Sequence, residues 1–171
     1  VPVINGMSNR FHPCQLLADM QTFAEKRGSI RDQLVAFVGD GHNMCNSYIL
    51  ASKQFDFDLV ISTPTKFRPD EQLLDSSSRA RWVSTPQEAV SGANLVVTDV
   101  WSSMGQENER VERHEAFQEF QVNAGLLDSA DANVLFMHCL PAHRGEEISD
   151  DLLEDPRSVV WEETGNRLHS K

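Results

Sequence analysis

The chain is poor in the residues that build disulfide frameworks and metal centres. It has only three cysteines, Cys14, Cys45 and Cys139, an odd number with no Cys-x-x-Cys pair. That argues against a disulfide scaffold and for a reducing, cytoplasmic compartment. Its Cys and His residues show no repeated short ligand spacing, so neither zinc nor another metal is expected. Basic residues are scarce too: 15 Lys and Arg against 26 Asp and Glu, a net charge of −11. Such a surface repels nucleic-acid phosphates unless basic groups cluster, and here they are scattered. No apolar run approaches the roughly 20 residues that cross a bilayer. Nucleic acid and membrane are therefore not expected partners. The opening Val1-Pro2-Val3-Ile4-Asn5-Gly6 has no basic stretch and no long apolar stretch, unlike a signal peptide. It also lacks an initiator Met and reads like a strand entered mid-protein, so a fragment of a longer protein is expected.

What is present is a repeated rhythm of short apolar runs and longer amphipathic stretches. The 171 residues suffice for one domain with a real core. Runs at 34–38, 59–62, 95–98, 134–137 and 159–161 are β-branched or apolar throughout, as in strands covered on both faces. Helices are expected at 13–27, 43–53, 69–79, 86–91, 109–120 and 149–154. In the first of these Leu16, Leu17, Met20, Phe23 and Ala24 form a stripe that Gly28 ends. The alternation implies an α/β domain: a parallel sheet of about five strands with helices on both faces, Rossmann-like and doubly wound, preceded by a linking helix.

Open parallel sheets bind ligands at the carboxyl ends of their strands. Polar residues follow three of the runs: Asp40 and Asn43, Asp99 and Ser103, His138 and Cys139. Each alone also reads as a turn or cap residue; three such clusters point to a site. Gly39-Asp40-Gly41-His42-Asn43 resembles half a dinucleotide fingerprint. Met44 stands where the third glycine belongs, and the next strand ends in Ser-Thr-Pro instead of an acid. No nicotinamide or other cofactor is expected. A tight turn that starts a helix at Asn43 can hold a carboxylate with amide and backbone N–H groups, or Asn43 is a simple cap. Asp99 can pair with an ammonium, or sit in a solvated loop above a buried Trp101. His12 and Gln15, three apart at a helix start, can face one ligand, or mark an ordinary helix entry. In His138-Cys139-Leu140-Pro141 the proline forces the chain out of the sheet and restricts Leu140 to extended backbone. Cys139 then sits at the strand-end rim, where His143, Arg144 and Arg167 can lower its pKa. The other reading is a buried, inert thiol.

Taken together, His12-Pro13-Cys14-Gln15, Gly39-Asp40-Gly41-x-Asn43, Asp99-x-x-x-Ser103-Met104-Gly105, His138-Cys139-Leu140-Pro141 and Asn166-Arg167 resemble the carbamoyltransferase family, in its ornithine-using branch. Order and spacing match across essentially the whole chain. The resemblance implies the carboxy-terminal, ornithine-binding half (29–171), preceded by a strand and linking helix (1–28) from an amino-terminal domain. That domain's Ser-x-Arg-Thr phosphate loop has no counterpart here, so the chain alone is expected to be inactive. By the same resemblance, Asn43, Asp99, Ser103 and Met104 hold the amino-acid end of ornithine. His12, Gln15 and Arg167 contact carbamoyl phosphate, and Cys139 and the Leu140 carbonyl lie beside the reacting δ-amine. The implied catalytic set is Cys139, Asp99, His12 and Arg167, with Cys139 and Asp99 as the proton-accepting pair. Products are citrulline and phosphate, in arginine biosynthesis, and the full-length assembly is a homotrimer or a multiple of trimers. Position 42 is His where relatives often carry Asn, and Thr164-Gly165 replaces a commoner Ala-Glu. Alternatives within the family are aspartate and acetylornithine enzymes. Outside it they are a non-catalytic amino-acid-binding module and a nicotinamide oxidoreductase.

Overall fold

The protein, seen in a computed structural model, is described for residues 1–102 and 107–170. Five strands form one sheet: β1 Leu34–Val38, β2 Asp58–Ser62, β3 Ala80–Val83, β4 Leu95–Thr98 and β5 Leu135–His138. Their order is β3-β2-β1-β4-β5 and every neighbouring pair is parallel. Helices α1 Pro13–Arg27, α2 Asn43–Phe55, α3 Glu71–Asp75, α4 Pro86–Val90, α5 Arg110–Phe117, α6 Ala124–Leu127 and α7 Val160–Asn166 connect and flank them.

Alternation along each strand divides the core into two layers. Val35, Phe37, Leu59, Ile61 and Val97 pack with Leu16, Met20 and Phe23 of α1 and Met44, Tyr48 and Ile49 of α2. Ala36, Val38, Val60, Val96 and Phe136 face the other way, toward Ala89 and Val90 of α4, Phe117 of α5 and Leu126 and Leu127 of α6. A sheet covered on both faces needs apolar residues at every position, hence the unbroken runs. Helix α1 is part of this core: residues 16, 20 and 23 recur at helical spacing, Pro13 opens it, and Gly28 closes it at φ +84°. Val1, Val3 and Ile4 lie exposed, outside the sheet.

The five-strand count hides one exchange. The expected strand at 159–161 is instead the start of α7, and only an isolated bridge, Phe136 to Ser158, touches the sheet there. Val160 is buried while Trp161 is exposed, so the segment has one apolar face, not two. The fifth strand is β3, an edge strand whose Arg81 is exposed. Helix falls furthest short of expectation in two places. The 69–79 stretch holds only α3, whose Asp70 side chain caps the N–H of Leu73. The 149–154 stretch holds only a 3₁₀ turn at Leu152–Glu154.

Candidate active site

Strand order reverses between β1 and β4, the place where open α/β sheets bind ligands. A cavity of about 570 Å³ opens there. His42 and Asn43 reach it from the end of β1, Asp99, Val100 and Ser102 from the end of β4, and Cys139, Leu140 and Pro141 from the end of β5. Met7, Ser8, Asn9 and His12 close it from the segment before α1, and Arg110 and Glu146 add charge at its rim beside His143.

Two glycines make the first wall. Gly39 has φ +132°, a conformation open to glycine. A Cβ on Gly41 would stand 2.4 Å from Pro69 N and 2.5 Å from Phe67 O. The glycines thus serve backbone approach within the protein. The turn delivers His42 as the residue before α2 and Asn43 as its first residue. The Asn43 amide donates to Ser8 O at 3.0 Å, tying the amino-terminal segment over the cavity. Burial lowers the pKa of His42 and so favours its neutral ring.

Asp40 is turned away from the cavity into a buried ion pair, 2.9 Å from Arg113 Nη1. The same Arg113 nitrogen donates to Trp101 O at 3.0 Å, tying α5 to the segment after β4. Burial outweighs Arg113 and lifts the Asp40 carboxyl to about 7.

At the end of β5 the chain makes an abrupt bend. His138 is fully buried. Its Nδ1 accepts the Leu140 N–H at 2.9 Å, which leaves Nε2 to donate to Glu147 Oε1 at 3.1 Å. The network thereby selects one tautomer. Leu140 is held at φ +53°, ahead of a cis Leu140–Pro141 peptide. This corrects the extended backbone expected before a proline. The imidazole acceptor and the turn that follows override the local preference.

Cys139 is 8% exposed, so it is buried and not on an open rim. Its thiol donates to Asp99 Oδ1 at 3.0 Å, and the same oxygen accepts the Val100 N–H at 2.7 Å. Burial, then the negative charge of Asp99, push the thiol well above its usual range. The expected lowering by neighbouring cations does not occur. Arg167, at the end of α7, donates to the Cys139 carbonyl at 3.4 Å.

Of the residues singled out from sequence, His12, Asn43, Asp99, Cys139 and Leu140 meet at the cavity. Gln15 does not join His12 there. It is 1% exposed, its amide held by Asp19 and Glu163. Arg167 lies behind Cys139, against its carbonyl. Ser103 and Met104 fall outside the described residues. Glu147, Arg113, Asp19 and Glu163 were not foreseen. All four are ionisable groups 0–5% exposed, and each works through a partner distant in sequence or around a bend.

A parallel sheet with a polar cavity at its topological switch point defines a small-molecule-binding α/β domain. A thiol, a carboxylate and an amide converge in it without any dinucleotide fingerprint. The family model for aspartate/ornithine carbamoyltransferase, Asp/Orn binding domain, matches residues 31–171, and the chain belongs to that family. It is 59% identical to the anabolic ornithine carbamoyltransferase of Pseudomonas aeruginosa, over all of this chain and 56% of that protein. It is 55% identical to the ornithine carbamoyltransferase of Methylococcus capsulatus, over all of this chain and 58% of that protein. The ornithine carbamoyltransferase structure from Pyrococcus furiosus superposes with a TM-score of 0.92 at 45% identity, covering 99% of this chain and 57% of that one. That from Burkholderia thailandensis gives 0.89 at 44% identity, covering 99% and 55%. The chain spans about half the length of the curated relatives it matches.

Proposed function

We propose that this chain carries the ornithine side of a carbamoyltransferase site. The full-length protein moves the carbamoyl group of carbamoyl phosphate to the δ-amine of L-ornithine, giving L-citrulline and phosphate. The observation that carries this reading is the Cys139–Asp99 contact at 3.0 Å, set in the cavity of a domain of this family. Residues 1–28 lead in from a carbamoyl-phosphate-binding domain, and their helix α1 packs into the core of the ornithine-binding unit formed by 29–171.

The roles follow from the chemistry of the groups. A primary ammonium titrates near about 10.4, so the δ-ammonium must lose a proton before it can attack. The Cys139 thiol is already a donor and resists ionisation. Asp99 is therefore the acceptor of the pair, and Cys139 orients it. Asn43, Ser103 and Met104 hold the amino-acid end. The Leu140 carbonyl guides the δ-amine. Attack yields a tetrahedral oxyanion, which His12 and Arg167 stabilise, each such donor being worth about 3 kcal/mol. Gln15 serves the carbamoyl phosphate side. The freed amine attacks directly, so no covalent enzyme intermediate, cofactor or metal enters.

The anabolic Pseudomonas relative supports a place in arginine biosynthesis. Among the described residues no helix is long and apolar enough to cross a membrane. The three free thiols support a reducing, cytoplasmic setting, and the resemblance to the family implies a homotrimer or a multiple of trimers for the full-length protein. The test is citrulline formation by the natural full-length protein, with competition binding of ornithine, acetylornithine and aspartate. Turnover with ornithine bound tightest is expected. No citrulline, or tighter binding of either rival, rules the reading out.

A further inference from the structure

Behind the cavity lies a buried acidic knot that the chemistry above leaves unused. Asp19 of α1 is 0% exposed and Glu163 of α7 is 1% exposed. The Gln15 amide nitrogen donates to both, at 2.9 Å to Asp19 Oδ1 and 2.7 Å to Glu163 Oε1. The Tyr48 hydroxyl of α2 donates to Asp19 Oδ2 at 2.7 Å. The other Glu163 oxygen, Oε2, accepts the backbone N–H of His138 at 2.9 Å. Glu163 therefore spans two elements that frame the cavity: the first turn of α1 and the end of β5, one residue before Cys139.

We propose that Glu163 is a positioning residue for the transfer reaction, tying the Gln15 amide to the His138 backbone and so setting where Cys139 meets Asp99. The inference rests on reading the cavity as a carbamoyl-transfer site.

Three observations support it. Both bonds of Glu163 use it as an acceptor, from an amide N–H and a backbone N–H, so a side chain of equal shape with a donor cannot replace it. Both protons of the Gln15 amide face carboxyl groups, which fixes the amide and leaves Oε1 as an acceptor with no partner among the described residues. Burial raises the pKa of Asp19 and Glu163 alike, which disfavours two full charges behind the thiol. The groups facing the pair are Tyr48 from α2, the Cys139 thiol just after β5 and Arg167 from the end of α7.

The test uses the natural full-length protein and its Glu163→Gln, Glu163→Asp and Asp19→Asn variants. Citrulline formation gives kcat and KM, and thermal unfolding gives the midpoint. In Glu163→Gln an N–H must face either Gln15 or His138. In Glu163→Asp the stem is one carbon too short to make both bonds. In both, kcat should fall by roughly tenfold or more, the scale of a small misplacement near the chemistry, while the ornithine KM changes less than about threefold. Asp19→Asn leaves the His138 bond intact and should keep kcat within about threefold of the parent. Kcat near the parent value in a folded Glu163 variant overturns the proposal. So does a joint loss of kcat, ornithine affinity and stability in all three variants, which would mark a folding role. If Glu163→Gln does not fold, the same criteria apply to Glu163→Asp. A parent protein that makes no citrulline would instead remove the functional reading.

Discussion

The Cys139 thiol points its proton at Asp99, 3.0 Å from Oδ1. The two residues are thus a donor and an acceptor, and substitutions at them should have unequal effects. Asp99→Asn removes the acceptor and should lower citrulline kcat by about 10² to 10⁴, the range of a general base. Cys139→Ser keeps a donor of similar reach and should lose far less. Cys139→Ala leaves Asp99 without its orienting partner and should fall between them. Steady-state kinetics across neutral and alkaline pH would decide. A Cys139→Ala enzyme crippled as deeply as Asp99→Asn would return the acceptor role to the thiol.

The bend after β5 makes a second prediction. Glu147 Oε1 receives both the buried His138 ring and the His143 backbone N–H. Glu147→Ala strips the acceptor from a fully buried imidazole, at about 1–3 kcal/mol for each unsatisfied group. Glu147→Gln retains an oxygen for these donors and should cost less. Denaturant unfolding of the two variants measures the difference, and equal stability would show that the His138 clamp does not hold the bend.

Stability should fall as pH rises from about 4 to about 7. Asp40 is lifted by burial from 3.8 to about 7, and burial raises Asp19 and Glu163 as well. A carboxyl that holds its proton better when folded adds stability below its unfolded pKa. That stability is lost as pH climbs through its folded pKa. Exposed Glu25, Asp70 and Glu154 are shifted down, so their contribution appears only above their unfolded values and is lost toward acid. Asp40→Asn should flatten the decline in melting temperature between about pH 4 and 7. An undiminished decline in that variant would show that Asp40 is ionised throughout.

These groups also mark where sequence reading stops. Four strands are legible because full burial demands unbroken apolar runs, and the carboxyl-end rule then points to Asn43, Asp99 and Cys139. Strand β3 escapes because an edge position tolerates Arg81, and Val159-Val160-Trp161 misleads because a one-sided helix start looks apolar over three residues. The site's supports escape for another reason. Gln15 and Glu163 are 148 positions apart, Asp40 and Arg113 are 73 apart, and no local spacing announces either pair. The thiol's environment is equally hidden. Neighbours in sequence suggest cations beside Cys139, whereas the folded chain surrounds it with carboxyls.

Two glycines offer a contrast that isolates the role of the β1 turn. A methyl group on Gly41 would press on the backbone at 67–69, with three heavy atoms at 2.4 to 2.5 Å. Main chain cannot swing aside as a side-chain tip can, so the turn or the facing segment must move. Overpacking of this kind costs about 1–3 kcal/mol. The displaced turn carries His42 and Asn43, so ornithine binding should weaken along with stability in Gly41→Ala. Gly165 lies within α7, and a Cβ there meets nothing within 4 Å. Gly165→Ala should gain about 0.5–1 kcal/mol from helix propensity and leave binding unchanged. Chemical denaturation with ornithine titration on the two variants reads both quantities. Should Gly41→Ala bind ornithine as the parent does, the β1 turn would be a structural corner that does not set the ligand's place.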